Sequence, residues 1–456
     1  MKEILTPARR DLISEFYRGR VYPAILSVLI VAGHTLAIEI YTNAVIALLV
    51  SLGFVICPSV RHFIFPLCAY IYQISTKYSP GLPAYSDHYF TGARGVAVIL
   101  FFVLLALCLG YRSVKSGILR RGAWKGAPLA LPSALFTAAL LLGGAFSGQW
   151  RLEGLLFGAA CAASIFLVFY FFCLGLAGED GEELLSYFIY VSALLAAVLI
   201  AQTLLLYLGG GVVVGGTVNK ESIVYGWGIW TTAGMGLAVL IPTLILGAIR
   251  GEGMAYLFLS VEAVASIILN MSRAALLVGG FAFFAAFGVG CFFGKRKRTF
   301  RAVGLSLLAC AAAAFVLFNR EIYGLLSDYF DRGLSDNGRF ELWRYGLREF
   351  FEAPLFGKGF YGIETDVFEA IGFLPDMLHN TPIQIAASMG IFGLACYFYY
   401  RIETLKLFLT KPSIEKSLLG MSLLTFLLGS LFDNFLFYIQ PAFYYSITLA
   451  ISYRIR

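Results

Sequence analysis

The sequence contains few charged residues and confines its long polar stretch to one place. Only 13% of the 456 residues are charged, roughly half the fraction of a typical soluble domain, whereas 59% are hydrophobic. Apolar runs of about 20 residues, the length that crosses ~30 Å of hydrocarbon, recur along the chain. Strictly alternating apolar and polar residues, which barrel strands require, are absent. We therefore expect an all-α, polytopic transmembrane bundle of about 12–14 helices.

Several chemical motifs are missing as well. The eight cysteines form no CxxC pair and lie in or beside apolar runs, which is typical of small buried hydrophobes. The sequences GxSxG, HExxH and GxxxxGK[ST] do not occur, so the corresponding hydrolase, zinc-protease and nucleotide-binding sites are not expected. The polar N-terminal stretch is too long for a cleaved signal peptide. The net charge of +7 lies mostly in short loops and does not indicate nucleic acid as a partner.

Basic residues in short loops orient membrane proteins, because such loops stay in the cytoplasm. Five basic clusters fall on one side of the predicted spans: residues 2–20, 112–125, 295–301, 401–416 and 454–456. The predicted location is the cytoplasmic (inner) membrane, multi-pass, with both termini cytoplasmic. The predicted spans are 22–40, 43–58, 62–76, 93–110, 127–147, 152–177, 184–208, 222–249, 254–271, 274–293, 302–318, 382–400, 416–434 and 437–453.

The long polar stretch, residues 319–381, falls on the opposite side of these spans. It is predicted to be a partly helical extracytoplasmic loop that carries the chemistry. We divide the chain into N-terminal transmembrane helices, residues 1–208, and a region containing this loop, residues 209–456. An acidic loop at 178–183 falls inside, but acidic residues contribute little to orientation.

Three residues near the outer face are candidates for chemistry. Arg273 stands between two apolar runs, where it either snorkels to the interface or binds a phosphate through its planar fork. Lys220 lies in a glycine-rich loop before a span, either as an ordinary interfacial lysine or as an anion-binding group. His379 closes the long loop and is its one histidine. Its imidazole is suited to general-base work, although it could instead cap the following helix.

The segment from 338 to 354 predicts a short helix that lies on the membrane surface. Its apolar face would be formed by Phe340, Trp343, Leu347 and Phe350. Its basic residues are Arg339, Arg344 and Arg348. These face either lipid headgroups or a bound polyanion, so Trp343 and the three arginines are candidate substrate-binding residues.

The aspartates of the loop make a metal site conceivable. Their spacing fits no standard ligand pattern, so no metal and no other cofactor is expected. The residues concerned are Asp328, Asp331, Asp336, Asp366 and Asp376.

In order along the chain stand VNKES, MSRAALLV, GR-x3-W, PLFGKG and HN-x9-GxxG. Over roughly residues 210–400 this order resembles the O-antigen ligase and O-antigen polymerase superfamily. The resemblance implies a metal-independent, inverting transfer of a glycan from an undecaprenyl-pyrophosphate carrier at the outer face of the membrane. It implies that Arg273 binds the pyrophosphate and that His379 acts at the acceptor hydroxyl.

The implied partners are the lipid-linked glycan donor, a glycan or lipid A-core-like acceptor, and membrane lipids, with no nucleic acid. Ligases often carry an arginine in the loop before the SR pair, whereas Lys220 is the one cation of loop 209–221. This leaves a polymerase of the same superfamily as an alternative. A transporter or flippase would have deep charges and an internal repeat, and a metal-dependent glycosyltransferase would have an acidic pair in a large first outer loop. Neither pattern is evident in the sequence.

Overall fold

The structure, a computed structural model, consists of helices joined mostly by short turns. It describes residues 7–36, 38–75, 92–118, 127–209, 212–214, 217–218, 222–225, 228–320, 323, 338–363 and 375–455. Lys220 and the aspartates Asp328, Asp331, Asp336 and Asp366 lie outside the described residues.

In the first half of the chain, the described residues form eight helices. They are α1 (Pro7–Arg18), α2 (Val21–Thr35), α3 (Glu39–Ile56), α4 (Ile64–Ser75), α5 (Gly92–Lys115), α6 (Ala130–Leu142), α7 (Leu152–Gly175) and α8 (Gly181–Leu208). A 3₁₀ turn, Arg61–Phe63, precedes α4, and a π-helical turn, Ala163–Leu167, lies within α7.

Two small antiparallel hairpins and eight more helices follow within the part of the chain that the structure describes. The hairpins pair β1 (Val213–Val214) with β2 (Thr217–Val218) and β3 (Val224–Tyr225) with β4 (Gly228–Ile229). The helices are α9 (Trp230–Arg250), α10 (Ala255–Leu269), α11 (Arg273–Phe293), α12 (Lys297–Leu317), α13 (Arg339–Glu352), α14 (Thr381–Leu409), α15 (Ile414–Gly429) and α16 (Ile439–Arg454).

The predicted all-α polytopic fold is confirmed. Each of the fourteen predicted spans coincides with a helix, and six described helices are long and apolar enough to cross a bilayer. The boundaries differ most at two spans: the one predicted at 222–249 is α9, which begins at Trp230, and the one predicted at 382–400 is α14, which ends at Leu409. Helix α9 is the most enclosed of these six, with 89% of its apolar window inside the bundle. It therefore forms the centre against which the functional end is assembled.

One end of the bundle, the basic end, holds both the N-terminal and C-terminal helices of the described chain. Arg20 donates from Nη2 to Ser186 Oγ (2.8 Å), and Arg454 donates to the carbonyl of Ala177. At this end of the bundle, the acidic loop between α7 and α8 pairs with arginines. Its carboxylates bind Arg61 (2.8 Å from Nη1 to Glu183 Oε1) and Arg250, whose Nη2 lies 2.8 Å from Glu182 Oε2.

Other described turns lie together at the opposite end of the bundle. The N–H of Gly144 donates to the carbonyl of Phe356 (3.0 Å), and the N–H of Thr381 to that of Ser430 (2.8 Å). The hydroxyl of Tyr207 donates to the carbonyl of Leu269 (2.5 Å). We call this the loop end, since the described parts of the long loop lie there.

Arg401 corrects the sequence interpretation. It was expected in a cytoplasmic loop after a span ending at residue 400, but α14 continues to Leu409. The guanidinium stacks on Tyr397, Tyr400 and Tyr445, with its Cζ 4.7–5.4 Å from the three ring centroids. The cation is accommodated because electron-rich aromatic faces surround it, and the remaining basic residues of that cluster still lie at the basic end.

Candidate functional site

His379 stands directly before α14, in a left-handed backbone conformation with φ of 49°. Such a φ is uncommon for a residue with a Cβ and signals a backbone held by its surroundings. The role of helix cap, the alternative for His379, belongs to Asn380, whose Oδ1 accepts the N–H of Ile383 (3.0 Å). The imidazole of His379 therefore does not serve as the helix cap.

That imidazole meets an aspartate from the turn between α15 and α16. Nδ1 of His379 lies 2.9 Å from Oδ1 of Asp433. The same oxygen accepts the hydroxyl of Tyr438 (2.7 Å) and the N–H of Asn434 (2.8 Å). The His379 side chain keeps 27% of its surface exposed, whereas Asp433 keeps 11%.

These contacts favour the ionised form of Asp433. Burial on its own would raise the pKa of the Asp433 carboxyl group, but the His379 ring, the Tyr438 hydroxyl and the Asn434 N–H lower it more, so the pKa lies below its ordinary value. An ionised carboxylate only accepts hydrogen bonds. Nδ1 of His379 is therefore the protonated nitrogen, and Nε2 carries the lone pair that could accept a proton.

A second set of hydrogen bonds fastens the histidine segment to the Asp433 turn. Oε1 of Gln384 accepts the N–H of Leu378 (2.8 Å) and Nδ2 of Asn434 (3.1 Å). Asn380 Nδ2 donates to the carbonyl of Leu431 (3.0 Å). Because the residues on both sides of His379 are held, the distance between its ring and Asp433 is set by the scaffold.

Arg273 is the first residue of α11 and is exposed at the loop end. The Oγ of Ser272 accepts the N–H of Ala275 (3.4 Å), which caps the helix. The start of α9 links this arginine to the histidine side of the bundle. A Cβ on Gly234 would lie 3.4 Å from Cβ of Ser272, and one on Gly429, the last residue of α15, would lie 2.7 Å from Sδ of Met235. Arg273 and the Asp433 turn therefore lie on either side of the N-terminal part of α9, near Gly234 and Met235.

Helix α13 confirms the predicted short helix, and its packing places it beside the histidine. The residues enclosed by protein are Leu342, Gly346 and Glu349. A Cβ on Gly346 would lie 2.5 Å from Cδ1 of Leu378, so the helix packs closely against the residue that precedes His379. The apolar face named from the sequence points outward instead: Phe340 is 61% exposed, as expected for contact with a membrane.

The predicted binding residues of α13 have different environments. Arg344 is exposed, and Arg348 lies over the ring of Tyr345 with its Cζ 5.0 Å from the centroid. Trp343 packs edge-on against Phe340 at 5.3 Å between centroids. Arg339 is half-buried at the start of the helix. The structure thus brings His379 and α13 together through Leu378, whereas Lys220 lies outside the described residues.

The PLFGKG segment acts as a backbone brace. Gly357 and Gly359 adopt φ of 65° and 76°, and the N–H groups of Lys358 and Gly359 donate to the carbonyls of Ala387 and Ser388 (both 2.9 Å). These bonds cover the point where α14 is interrupted at Gly390, which has φ of 65°. The first part of α14, which directly follows His379 and Asn380, is thereby held in place separately from the part that spans the bundle.

The Lys358 side chain is neutralised. Nζ lies 2.5 Å from carboxylate oxygens of both Glu349 and Glu352. Burial on its own would lower the pKa of Lys358, but the two carboxylates raise it more. This lysine ties the brace to α13 and does not present a net positive charge to an anion.

Within the part of the chain that the structure describes, no group of three histidine, cysteine, aspartate or glutamate side chains is arranged to hold a metal ion. Of the aspartates considered from the sequence, Asp376 is described, whereas the others of the loop are not. The expectation of a metal-independent site stays a prediction.

Comparison with known families agrees with the geometry. Residues 255–398 match the family model described as O-antigen ligase. Over these residues the chain is similar to the O-antigen ligase family. The ligase segment covers less than half of the chain; it begins with α10, contains Arg273, α13 and His379, and ends within α14. No curated protein matches the chain. Asp433 follows the ligase segment in the chain, yet it supplies the carboxylate that contacts its histidine.

Sequence reasoning missed Asp433 as a site residue. The predicted spans 416–434 and 437–453 meet at this turn, where Asp433 and Asn434 are polar residues between two apolar runs. That isolated polarity was the available signal. Nothing in the sequence paired the turn with a histidine 54 positions earlier.

Proposed function

We propose that the protein transfers a glycan from an undecaprenyl-pyrophosphate carrier to a sugar hydroxyl of an acceptor, at the outer face of the cytoplasmic membrane. The observation that carries this proposal is the His379–Asp433 pair at the loop end, within and beside the ligase segment. An imidazole whose Nδ1–H is held by a carboxylate leaves Nε2 as a base.

The chemistry is a single displacement at the anomeric carbon. The acceptor oxygen forms the new bond to that carbon while the bond to the pyrophosphate oxygen breaks, which inverts the configuration. The hydroxyl proton moves to Nε2 of His379, and the imidazolium that forms is stabilised by the Asp433 carboxylate. Positioned general-base catalysis of this kind contributes about 10²–10⁴ in rate.

The leaving pyrophosphate needs positive charge. Arg273 is exposed at the same end of the bundle and has the planar fork that binds phosphate oxygens in pairs. Lys220 and the arginines of α13, Arg339, Arg344 and Arg348, are proposed to contact the donor or the acceptor glycan. Trp343 is proposed to stack on a sugar ring. Hydrogen-bond donors aimed at developing charge lower the barrier without a metal.

A small apolar cavity lies beside the proposed site. Its walls come from α8, α9, α15 and the turn that follows Asp433, and they include Leu199, Met235, Phe426 and Phe435. The cavity lies next to the turn that holds Asp433, because Phe435 is two residues away from it. The space is only about 40 Å³, so an isoprenoid chain would enter it only if these apolar side chains move apart.

The acceptor decides between ligase and polymerase, and the same site chemistry serves both. We expect a deletion strain to accumulate lipid-linked glycan. Polymer that never reaches its lipid A-core-like acceptor indicates ligation, and single repeats without long chains indicate polymerisation. Unchanged surface glycan and unchanged lipid-linked intermediates would contradict the proposal, and donor trapped on the cytoplasmic side would indicate a flippase.

A further inference from the structure

A wide polar cavity opens at the basic end, on the side of the bundle opposite to the catalytic candidates. It lies between α1, the turn before α4 and the start of α8. Its volume, about 690 Å³, lies within the ~300–1,000 Å³ of common small-molecule pockets. A ligand of headgroup size can therefore enter without rearrangement.

Cations line one part of this cavity. Arg18 and Arg20 are exposed at its edge, whereas Arg61 is only 4% exposed on its floor. Nη1 of Arg61 is paired with Glu183 (2.8 Å), and its Nη2 donates to the carbonyl of Arg18 (2.8 Å). Arg20 donates one of its N–H groups to Ser186, which leaves the rest of its fork for another acceptor.

Two buried donors in the wall have no acceptor among the described residues. They are Nε of Arg61 and the hydroxyl of Tyr187, and both residues line the cavity. Buried polar groups almost always have a hydrogen-bond partner. Two buried donors without an acceptor, in residues that line the cavity, therefore indicate that a group with hydrogen-bond acceptors binds there.

Carboxylates line another part of the same cavity. Asp11 and Glu15 lie one turn apart on α1, and both are exposed. A simple anion would be repelled by this pair at close range. The arrangement of arginines beside two carboxylates matches a ligand that carries one negative and one positive group.

An apolar track leads away from the cations. Val21, Ile25 and Val28 of α2 follow Arg20 directly and share one face of the helix, with exposed fractions of 61%, 40% and 67%. Acyl chains that descend from a headgroup at Arg20 would cover this face. The track favours a lipid over a soluble ligand, since a soluble ligand gains nothing from it.

We propose that this cavity binds the headgroup of a zwitterionic phospholipid with a primary ammonium group, such as a phosphoethanolamine lipid. The phosphate accepts hydrogen bonds from Arg18, Arg20 and the Tyr187 hydroxyl. The ammonium donates to Asp11 and Glu15, and the acyl chains lie along the exposed face of α2. The bound lipid anchors α1 against the bundle at the membrane surface.

The test measures lipid retained by the purified full-length protein, using native mass spectrometry after exchange into defined lipids. The probes are phosphatidylethanolamine, phosphatidylcholine, whose ammonium has no N–H, and anionic phosphatidylglycerol. We expect phosphatidylethanolamine to be retained at least about tenfold over both others, because each lost charge-assisted hydrogen bond is worth about a factor of ten. Soluble glycerophosphoethanolamine should compete poorly, since it lacks the acyl chains.

Two double variants examine the two halves of the cavity. Arg18→Gln with Arg20→Gln should reduce retention of phosphatidylethanolamine at least about tenfold. Asp11→Asn with Glu15→Gln should remove the preference over phosphatidylcholine. The control is Arg298→Gln, which removes an exposed cation from α12 and should change nothing. Tyr187→Phe provides a single-atom change should either double variant fail to fold.

Three outcomes would overturn the proposal. Preferential retention of phosphatidylglycerol that survives Asp11→Asn with Glu15→Gln would make the cavity an ordinary anionic-lipid site. Equal competition by glycerophosphoethanolamine would indicate a soluble ligand. Equal loss in the Arg298→Gln control would reduce the effect to the general charge of the basic end.

Discussion

At the scale of single residues, the site depends on His379, and two other residues provide the helix cap and orient its ring. Asn380 caps α14 and Asp433 holds Nδ1, so the imidazole is oriented without being consumed as a cap. The sequence indicated His379 and Arg273 because each residue type is rare in its setting and chemically suited to it. It could not indicate Asp433, since an ordinary turn between two helices shows no sign of its partner until the helices are packed.

Arg273 provides the sharpest prediction at this scale. Arg273→Lys keeps the positive charge but removes the planar fork that binds two phosphate oxygens. We expect transfer to fall by about 10²-fold, in the range found when one charge-stabilising donor is removed, and Arg273→Ala to be little worse. The measurement is the turnover of a lipid-linked donor by the purified variants.

An interfacial anchor predicts the opposite result for Arg273, because lysine snorkels as well as arginine does. Arg298→Lys on α12 is a control for the loss of a guanidinium as such. Full activity of Arg273→Lys would remove this residue from the phosphate site.

At the scale of elements, α14 is two helices in one. Its sequence reads as a single apolar run with a glycine inside, and the predicted span began at 382 and ended at 400. The break at Gly390 was invisible because a glycine within an apolar run is equally compatible with an unbroken helix. The brace from Gly357 to Gly359 occupies the groove at that break, which no local pattern reveals.

We predict that Gly390→Ala disrupts the loop end. A Cβ at this position would lie 2.4 Å from the carbonyl carbon of Leu355, and φ of 65° adds strain of roughly 1 kcal/mol or more. The thermal midpoint of the purified protein and its transfer activity should both fall. The matched control is Gly288→Ala in α11, where a Cβ meets nothing within 4 Å, and where alanine should be neutral or stabilising by up to ~1 kcal/mol.

Unchanged stability of Gly390→Ala would contradict the broken helix and leave α14 continuous.

The same element also shows why Arg401 was misplaced. A basic residue at the end of an apolar run is typical of a cytoplasmic boundary, but here three tyrosine rings accommodate it inside the bundle. Charge alone does not separate these two settings, because the tyrosines come from two different helices.

At the scale of the whole molecule, the number and order of helices could be predicted well. Apolar runs of bilayer length leave little freedom, and the structure gathers the described turns at two ends as the charge pattern requires. The side chains that meet at either end could not be predicted, since they come from segments far apart in the chain. The acidic loop between α7 and α8 is an example. The orientation rule does not explain why it is acidic, whereas in the structure its carboxylates pair with Arg61 and Arg250.

Orientation can be tested by labelling. In a variant in which the exposed Cys310 is replaced by alanine, we predict that Gly333→Cys in the long loop reacts with an impermeant thiol reagent added to intact cells. Thr299→Cys, which is exposed at the start of α12, should react only after the membrane is opened. The reverse pattern would place the loop end in the cytoplasm.

The central claim is that His379, held by Asp433, catalyses glycan transfer from a pyrophosphate-linked lipid. The most direct measurement is transfer from a purified undecaprenyl-pyrophosphate glycan to an acceptor in proteoliposomes containing EDTA, with the anomeric configuration of the product determined. We predict an inverted product from the wild type, a loss of about 10²–10⁴-fold in His379→Ala, and a comparable loss in Asp433→Asn with the folded state retained. Near-normal turnover of His379→Ala, or a wild-type protein that is inactive until a divalent metal is returned, would contradict the account.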